Sequence, residues 1–159
     1  MFTIKRLNHL VLYVRDVQRA LAFYRDVLDF KVKSASERGA FMRASGSDND
    51  HDLAVFAVGE GAAPLPAGPR VGMYHAAWEV ETIQDLARAR EALLKSGALV
   101  GESDHGVSLS LYAQDPDGNE LEVMWAVPRE EWDTRRGSGT RALDLAGELA
   151  RRGASAAAR

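Results

Sequence analysis

The 159-residue chain contains no cysteine. That absence excludes disulfides, thiolate metal sites and a cysteine nucleophile, so any metal must be held by imidazole and carboxylate. Long hydrophobic runs are missing too, and none approaches the roughly 20 residues a membrane-spanning helix needs. The N-terminal stretch MFTIKRLNHLVLYV has no cleavage region of small residues, so the cell interior is the expected location. Neither sign of charge dominates: 20 basic side chains stand against 23 acidic ones, for a net charge of −3. No nucleic-acid or membrane partner is expected from such a balance. What is present, 46% hydrophobic and 27% charged residues, is the composition of a globular protein with a core of its own.

The charge is unevenly placed. Residues 1–128 carry 13 basic and 18 acidic side chains, whereas residues 129–159 carry 7 arginines and 5 acids. The tail thus reads as a C-terminal extension, partly helical or flexible. Within it RRGSGT (135–140) looks like a hinge, ALDLAGELARR like one short helix, and GASAAAR (153–159) like a loose end.

An internal repeat organises the rest. A shift of 66 residues lays Asn8-His9-Leu10-Val11-Leu12-Tyr13-Val14 on Tyr74-His75-Ala76-Ala77-Trp78-Glu79-Val80. Each copy opens on a strand-like run and continues into an amphipathic helix. Asp16 caps the first helix, which carries Val17, Ala20, Leu21, Tyr24, Val27 and Leu28 at helical spacing. Thr82 caps the second, with Gly97 as its stop. Strands are expected at 30–34, 39–44 and 52–58, and again at 98–102, 107–114 and 119–126. Two βαβββ modules (about 1–58 and 72–128) follow, joined by a Gly- and Pro-rich linker at 59–71. The expected fold class is α+β, with two curved mixed sheets pairing around a shared site and the helices outside.

The histidines stand out against this repeat. His9 and His75 occupy equivalent positions in the two copies, each in an apolar strand-like run. Alone, either would read as a core histidine; together they point to a metal. A third ligand should be a carboxylate, and Asp115-Pro116-Asp117-Gly118-Asn119-Glu120-Leu121-Glu122 offers Glu120 or Glu122 on one strand face. The 66-residue shift lays Glu122 on Phe56, so one repeat supplies a carboxylate and the other does not. Two imidazoles and one carboxylate with open positions form the facial triad of non-haem Fe(II) enzymes.

The runs NHLVLYVRDVQRALAFYRDVLDFKV, YHAAWEV and DPDGNELEVMW resemble the vicinal oxygen chelate superfamily over residues 4–128. That general pattern is shared with glyoxalases, epimerases, thiol transferases and metal-free antibiotic-binding proteins, so it speaks to fold before chemistry. The stretch from His105 through Tyr112 and the Pro116–Gly118 turn to Glu122 is similar to the extradiol (catechol 2,3-dioxygenase-like) signature. Ser103 departs from it, where Gly, Asn, Thr or an aliphatic residue is usual. A further landmark is a histidine followed by aspartate ahead of the last strand of the first module, here His51-Asp52. All four histidines of the chain fall on family-like positions.

The resemblance implies an Fe(II)-dependent ring-cleaving dioxygenase, with Mn(II) as the possible substitute metal. His9, His75 and Glu122 would be the ligands. The substrates would be a catechol-type small molecule and O₂, and the product a muconic semialdehyde. His51 would act as the acid–base group, Tyr112 would bond a substrate oxygen, and His105 would orient Tyr112. Family members commonly dimerise, so a homodimer or higher homo-oligomer is expected. The rival expectations are a glyoxalase- or epimerase-like proton-transfer enzyme and a metal-free small-molecule binding protein.

Overall fold

Both repeats fold as the hydrophobic spacing requires. The computed structural model describes residues 1–66, 68, 71–135 and 139–157, the last four of them as backbone only. The chain divides into two units, Met1–Pro69 with Asp115–Gly118, and Arg70–Gln114 with Asn119–Arg159.

In the first unit, strand β1 (Leu10–Val14) leads into helix α1 (Val17–Asp26), then β2 (Lys31–Ala35), β3 (Gly39–Arg43) and β4 (Leu53–Ala57). The sheet order is β1-β4-β3-β2, with β1 parallel to β4 and the other pairs antiparallel. The Asp16 side chain accepts from the Arg19 backbone N–H at 2.6 Å, satisfying one of the donors a helix start leaves open. Val17, Ala20, Leu21, Phe23 and Tyr24 form the buried face of α1, which packs on β2, β3 and β4.

The turn Asp115–Gly118 belongs to this unit, although the repeat assigns it to the second module. The Tyr24 hydroxyl donates to Asp115 at 3.0 Å, and Asp117 accepts from the backbone N–H and guanidinium of Arg15, both at 3.0 Å. Burial, then the Asp115 charge, pushes the Tyr24 phenol well above its ordinary range. Gly118 closes the turn at φ 84°, a left-handed conformation that a Cβ would strain.

The second unit repeats the plan with β5 (Ala76–Glu79), α2 (Ile83–Ser96), β6 (Leu99–Asp104), β7 (Ser108–Gln114) and β8 (Glu120–Ala126), in sheet order β5-β8-β7-β6. Thr82 and Asp85 form a reciprocal capping box, and Gly97 ends α2 in the left-handed conformation. Ile83, Leu86 and Leu93 of α2 are buried, as are Leu109, Leu111, Leu121, Val123 and Trp125 of the sheet. β8 alternates as expected: Leu121, Val123 and Trp125 are buried, while Glu120, Glu122 and Met124 keep partial exposure.

Beyond β8 come a 3₁₀ turn (Arg129–Glu131), the short helix α3 (Trp132–Arg135) and helix α4 (Leu145–Ala157), which lies against α2. Arg141 pairs with Asp104 through two backbone hydrogen bonds of 2.9 Å. Arg135 reaches Asp104, the Gly106 carbonyl and buried Glu148 at 3.2, 2.8 and 2.7 Å. Among the described residues no helix is long and apolar enough to cross a membrane.

The architecture is the expected α+β one, with corrections in detail. His9 and His75 were expected within strands, but each stands one residue ahead: ladder pairing starts at Leu10↔Leu53 and at Ala76↔Leu121. The repeat partner of Glu122 is Ala54 and not Phe56. Val11, which matches Ala77, pairs with Ala54 as Ala77 pairs with Glu122. The first repeat still supplies no carboxylate there. The stretch expected as a loose end is helical to Ala157. Residues 136–138 of the expected hinge, 67, 69 and 70 of the expected linker, and 158–159 lie outside the described residues.

Removing the Thr82 cap (Thr82→Ala) should cost about 1 kcal/mol in urea denaturation. Asp104 sets a pH dependence. Burial alone would raise its carboxyl, but the Gly106 N–H, Arg135 and Arg141 outweigh that and hold it below the usual aspartate range. Its stabilisation is therefore present above about pH 4 and is lost as pH falls through the depressed folded value. Asp104→Asn should cost about 1–3 kcal/mol at pH 7, and the gap to wild type should close in acid.

Candidate metal and catalytic residues

Each unit gathers two of the four histidines with polar partners. In the first, the rings of His9 and His51 lie 4.7 Å apart, tilted by 43°. His9 Nδ1 is 2.9 Å from the Asn8 side-chain oxygen, and His51 Nδ1 is 3.0 Å from Asp50 Oδ2. A carboxylate accepts only, so His51 Nδ1 carries the proton and leaves Nε2 as the basic nitrogen. That hydrogen bond, then the charge of Lys33, lowers the Asp50 carboxyl from its ordinary value.

The loop ahead of β4 is held by Asp52, which accepts from Ala44 N at 2.9 Å, Ser47 Oγ at 2.8 Å and Asn49 Nδ2 at 2.7 Å. Asn49 also donates to the Asn8 carbonyl at 3.0 Å, which ties the His51 loop to the residue before His9. Phe41 meets His51 edge-on at 5.1 Å and Phe56 at 5.8 Å. Gly39 makes room for this stack: a Cβ there would lie 2.6 Å from the Phe56 ring.

In the second unit, His75 Nε2 stands 3.1 Å from Glu122 Oε2. Its Nδ1 is buried, has no hydrogen-bond partner among the described residues and lies 4.0 Å from Glu120 Oε1. Two metal bonds of about 2.1 Å at a right angle would put their ligand atoms about 3 Å apart, so this nitrogen and oxygen suit a shared ion. Without an ion the same spacing is a hydrogen bond. Tyr74 flanks the pair, its phenol raised first by the charge of Glu120 and then by a hydrogen bond to it.

Tyr112 is the ladder partner of Glu122, and its ring lies 5.6 Å from that of His75. Its hydroxyl is 2.8 Å from His105 Nε2, and His105 Nδ1 is 3.2 Å from Thr140 Oγ1. Burial, followed by the Glu122 charge, raises the Tyr112 phenol, which keeps it protonated at neutral pH.

The sequence singles out all six of these principal side chains, of which His75 meets Glu122, His105 meets Tyr112 and His9 meets His51. Among the described residues no group of three or more His, Asp or Glu side chains is close enough to hold an ion. The supporting groups Asp50, Asn49, Asn8, Tyr74 and Thr140 escaped the sequence reading. Asp50 and Asn8 adjoin chosen histidines and could have been found that way. Thr140 is 35 residues from its partner, and no local pattern signals it.

Comparison with known proteins extends this picture. The family model described as "Glyoxalase/Bleomycin resistance protein/Dioxygenase superfamily" matches residues 6–123. A catechol-2,3-dioxygenase of Bacillus subtilis (strain 168) is 33% identical over 142 residues, which take in 87% of this chain and 49% of that relative. The chain thus spans about half of its length. A biphenyl-2,3-diol 1,2-dioxygenase 3 of Rhodococcus globerulus is 31% identical, with 83% of this chain and 70% of the relative covered. A lactoylglutathione lyase of Salmonella typhimurium is 28% identical, with 84% and 98% covered. Among solved structures, a glyoxylase/bleomycin resistance protein/dioxygenase domain from Frankia sp. EAN1pec shares the fold. It gives a TM-score of 0.68 at 23% identity, with 80% of this chain and 96% of that one covered. The matched span takes in most of both repeats and every expected metal ligand: the chain belongs to the Glyoxalase/Bleomycin resistance protein/Dioxygenase superfamily.

Proposed function

We propose that the chain is a metal-dependent extradiol dioxygenase acting on a catechol-type small molecule with O₂, in the cell interior. His9, His75 and Glu122 are its ligands for Fe(II), or for Mn(II) in its place. The observation that carries this reading is the second unit's combination of His75 with Glu122 at 3.1 Å and Tyr112 with His105 at 2.8 Å. Relatives named as catechol and biphenyl-diol dioxygenases support it.

When bound, the metal would supply Lewis-acid polarisation of the diol oxygens and the electron transfer that activates O₂. The protein's own groups handle the protons. His51 Nε2 accepts a proton from a catechol hydroxyl, since Asp50 holds Nδ1 in its protonated form. The resulting imidazolium keeps Asp50 as its counter-charge and can return the proton to an oxygen later in the cycle. The Tyr112 hydroxyl, protonated at neutral pH, donates to a substrate oxygen. His105 fixes where that hydroxyl points. Phe41 and Phe56 place apolar edges near His51, which suits a planar aromatic ring.

A second reading, a metal-dependent proton-transfer enzyme, has two observations in its favour. The lactoylglutathione lyase relative is covered over 98% of its length, and Glu120 lies 4.0 Å from His75 as a second carboxylate. Against it stands Ala54, which leaves the first repeat without the matching carboxylate ligand. A metal-free binding protein would not need the paired His75 and Glu122 at all.

Protein reconstituted anaerobically with Fe(II), then given a panel of substituted catechols and air, is expected to consume O₂ and form a yellow ring-cleaved product. No turnover across the panel, with hemithioacetal isomerisation instead, would favour the second reading. His51→Phe should lower kcat by at least about a hundredfold while the catechol still binds. Full turnover in that variant would remove His51 from its role.

A further inference from the structure

Arg43 is a cation that its surroundings in the first unit leave without an acceptor. It ends β3, where Ala40 and Met42 are fully buried, so the pleat puts Arg43 on the opposite face together with Phe41. Phe41 meets the His51 ring edge-on at 5.1 Å, which makes this the face proposed to take the aromatic substrate. The neighbouring charges are engaged elsewhere. Asp50 Oδ2 meets His51 Nδ1, and Asp50 Oδ1 stands 3.9 Å from Lys33. Asp52 accepts from Ala44, Ser47 and Asn49. Lys31, the rung partner of Arg43 on β2, is paired with Asp29. Arg43 Nε, by contrast, is buried and has no hydrogen-bond partner among the described residues. Its charge still reaches the His51 loop: the Asp50 carboxyl is lowered first by the His51 hydrogen bond and in smallest part by Arg43.

We propose that Arg43 is a specificity-determining residue that binds a carboxylate on the substrate, so that the preferred diol is an aromatic acid and not a neutral catechol. Calling that ligand a substrate rests on the dioxygenase reading; the anion site itself does not.

An arginine kept for solubility alone would leave all its nitrogens in water. Here Nε is shielded while the residue as a whole keeps partial exposure, so the stem is held and the terminal nitrogens remain to meet a ligand. A guanidinium presented in this way offers parallel N–H donors, which a carboxylate accepts with both of its oxygens. Packing of the stem also leaves less rotamer freedom to lose on binding than a fully solvated cation would have. Alternate residues on one strand face stand about 7 Å apart, close to the span of a benzene ring with one carboxyl substituent. A ring lying against Phe41 beside His51 thus brings a carboxylate on its far edge to Arg43.

The test compares (3,4-dihydroxyphenyl)acetate with its uncharged amide, using the full-length protein. In the metal-free chain, backbone NMR shifts of β3 and the 44–52 loop read the affinity for each compound. Wild type is expected to bind the acid at least about tenfold more tightly, the worth of a charge-assisted hydrogen bond. Arg43→Met, which keeps the stem and removes the charge, should abolish that preference, and Arg43→Lys should retain part of it. In the Fe(II)-loaded enzyme the same preference should appear as a lower KM for the acid. Equal affinities for the two compounds in wild type, or no binding of the acid, would overturn the proposal, as would a preference that survives in Arg43→Met. If neither diol is turned over but the acid preference disappears with Arg43, the dioxygenase reading fails and the anion site stands. Turnover of both diols with no preference for the acid keeps that reading and removes Arg43 from it.

Discussion

The parallel pairing of β5 with β8 is the constraint on which the candidate site depends. A strand entering parallel to its neighbour delivers the residue before it beside that neighbour's first turns. Ala76↔Leu121 and Ala77↔Glu122 are the opening rungs, so His75 arrives level with the start of β8. Pleat then sorts the side chains of β8: Leu121, Val123 and Trp125 are drawn into the core, which obliges Glu120 and Glu122 to share the other face with His75. Tyr112 follows on β7 as the rung partner of Glu122. A hydrophobic preference on one face thereby assembles a polar constellation on the other.

The first repeat uses the same device with different side chains. β1 enters parallel to β4, His9 precedes it, and the place of Glu122 falls to buried Ala54. Instead of a carboxylate, this copy provides a polar loop organised by Asp52, which presents His51 beside His9. The two repeats thus place equivalent histidines ahead of their parallel strand pairs, while one adds Glu122 and the other adds His51. Such asymmetry suits a reaction that needs ligands and a proton carrier in different places.

Much of this was legible from local pattern. Helix caps at Asp16 and Thr82, the Gly97 stop and the alternation of β8 are all short-range signals, and the structure follows them. Strand edges were less so, because whether His9 or Leu10 begins the ladder depends on a partner more than 40 residues away. The equivalence of Glu122 with Ala54 depended on inter-strand register, which a fixed shift of 66 residues misses by two. Hardest to see were the long-range polar contacts. Tyr24 with Asp115 and His105 with Thr140 join residues 91 and 35 positions apart, with no periodicity to betray them. Composition marks the tail only as an extension, partly helical or flexible, and gives no sign that Arg135 and Arg152 are mostly shielded in ion pairs with Glu148 and Glu131. Ala-rich GASAA continues α4 because alanine favours helix once the preceding turns exist.

The proposed metal centre is a single ion held by two imidazoles and one carboxylate, those of His9, His75 and Glu122. Equilibrium binding of Fe(II) under strictly anaerobic conditions, read as metal retained per folded chain, tests it most directly. One ion per chain is expected in wild type, His51→Ala and Glu120→Ala, and its loss in His9→Ala, His75→Ala and Glu122→Ala. Retention of the ion in His9→Ala together with its loss in Glu120→Ala would overturn this ligand set, placing the metal on His75 and the two glutamates of β8.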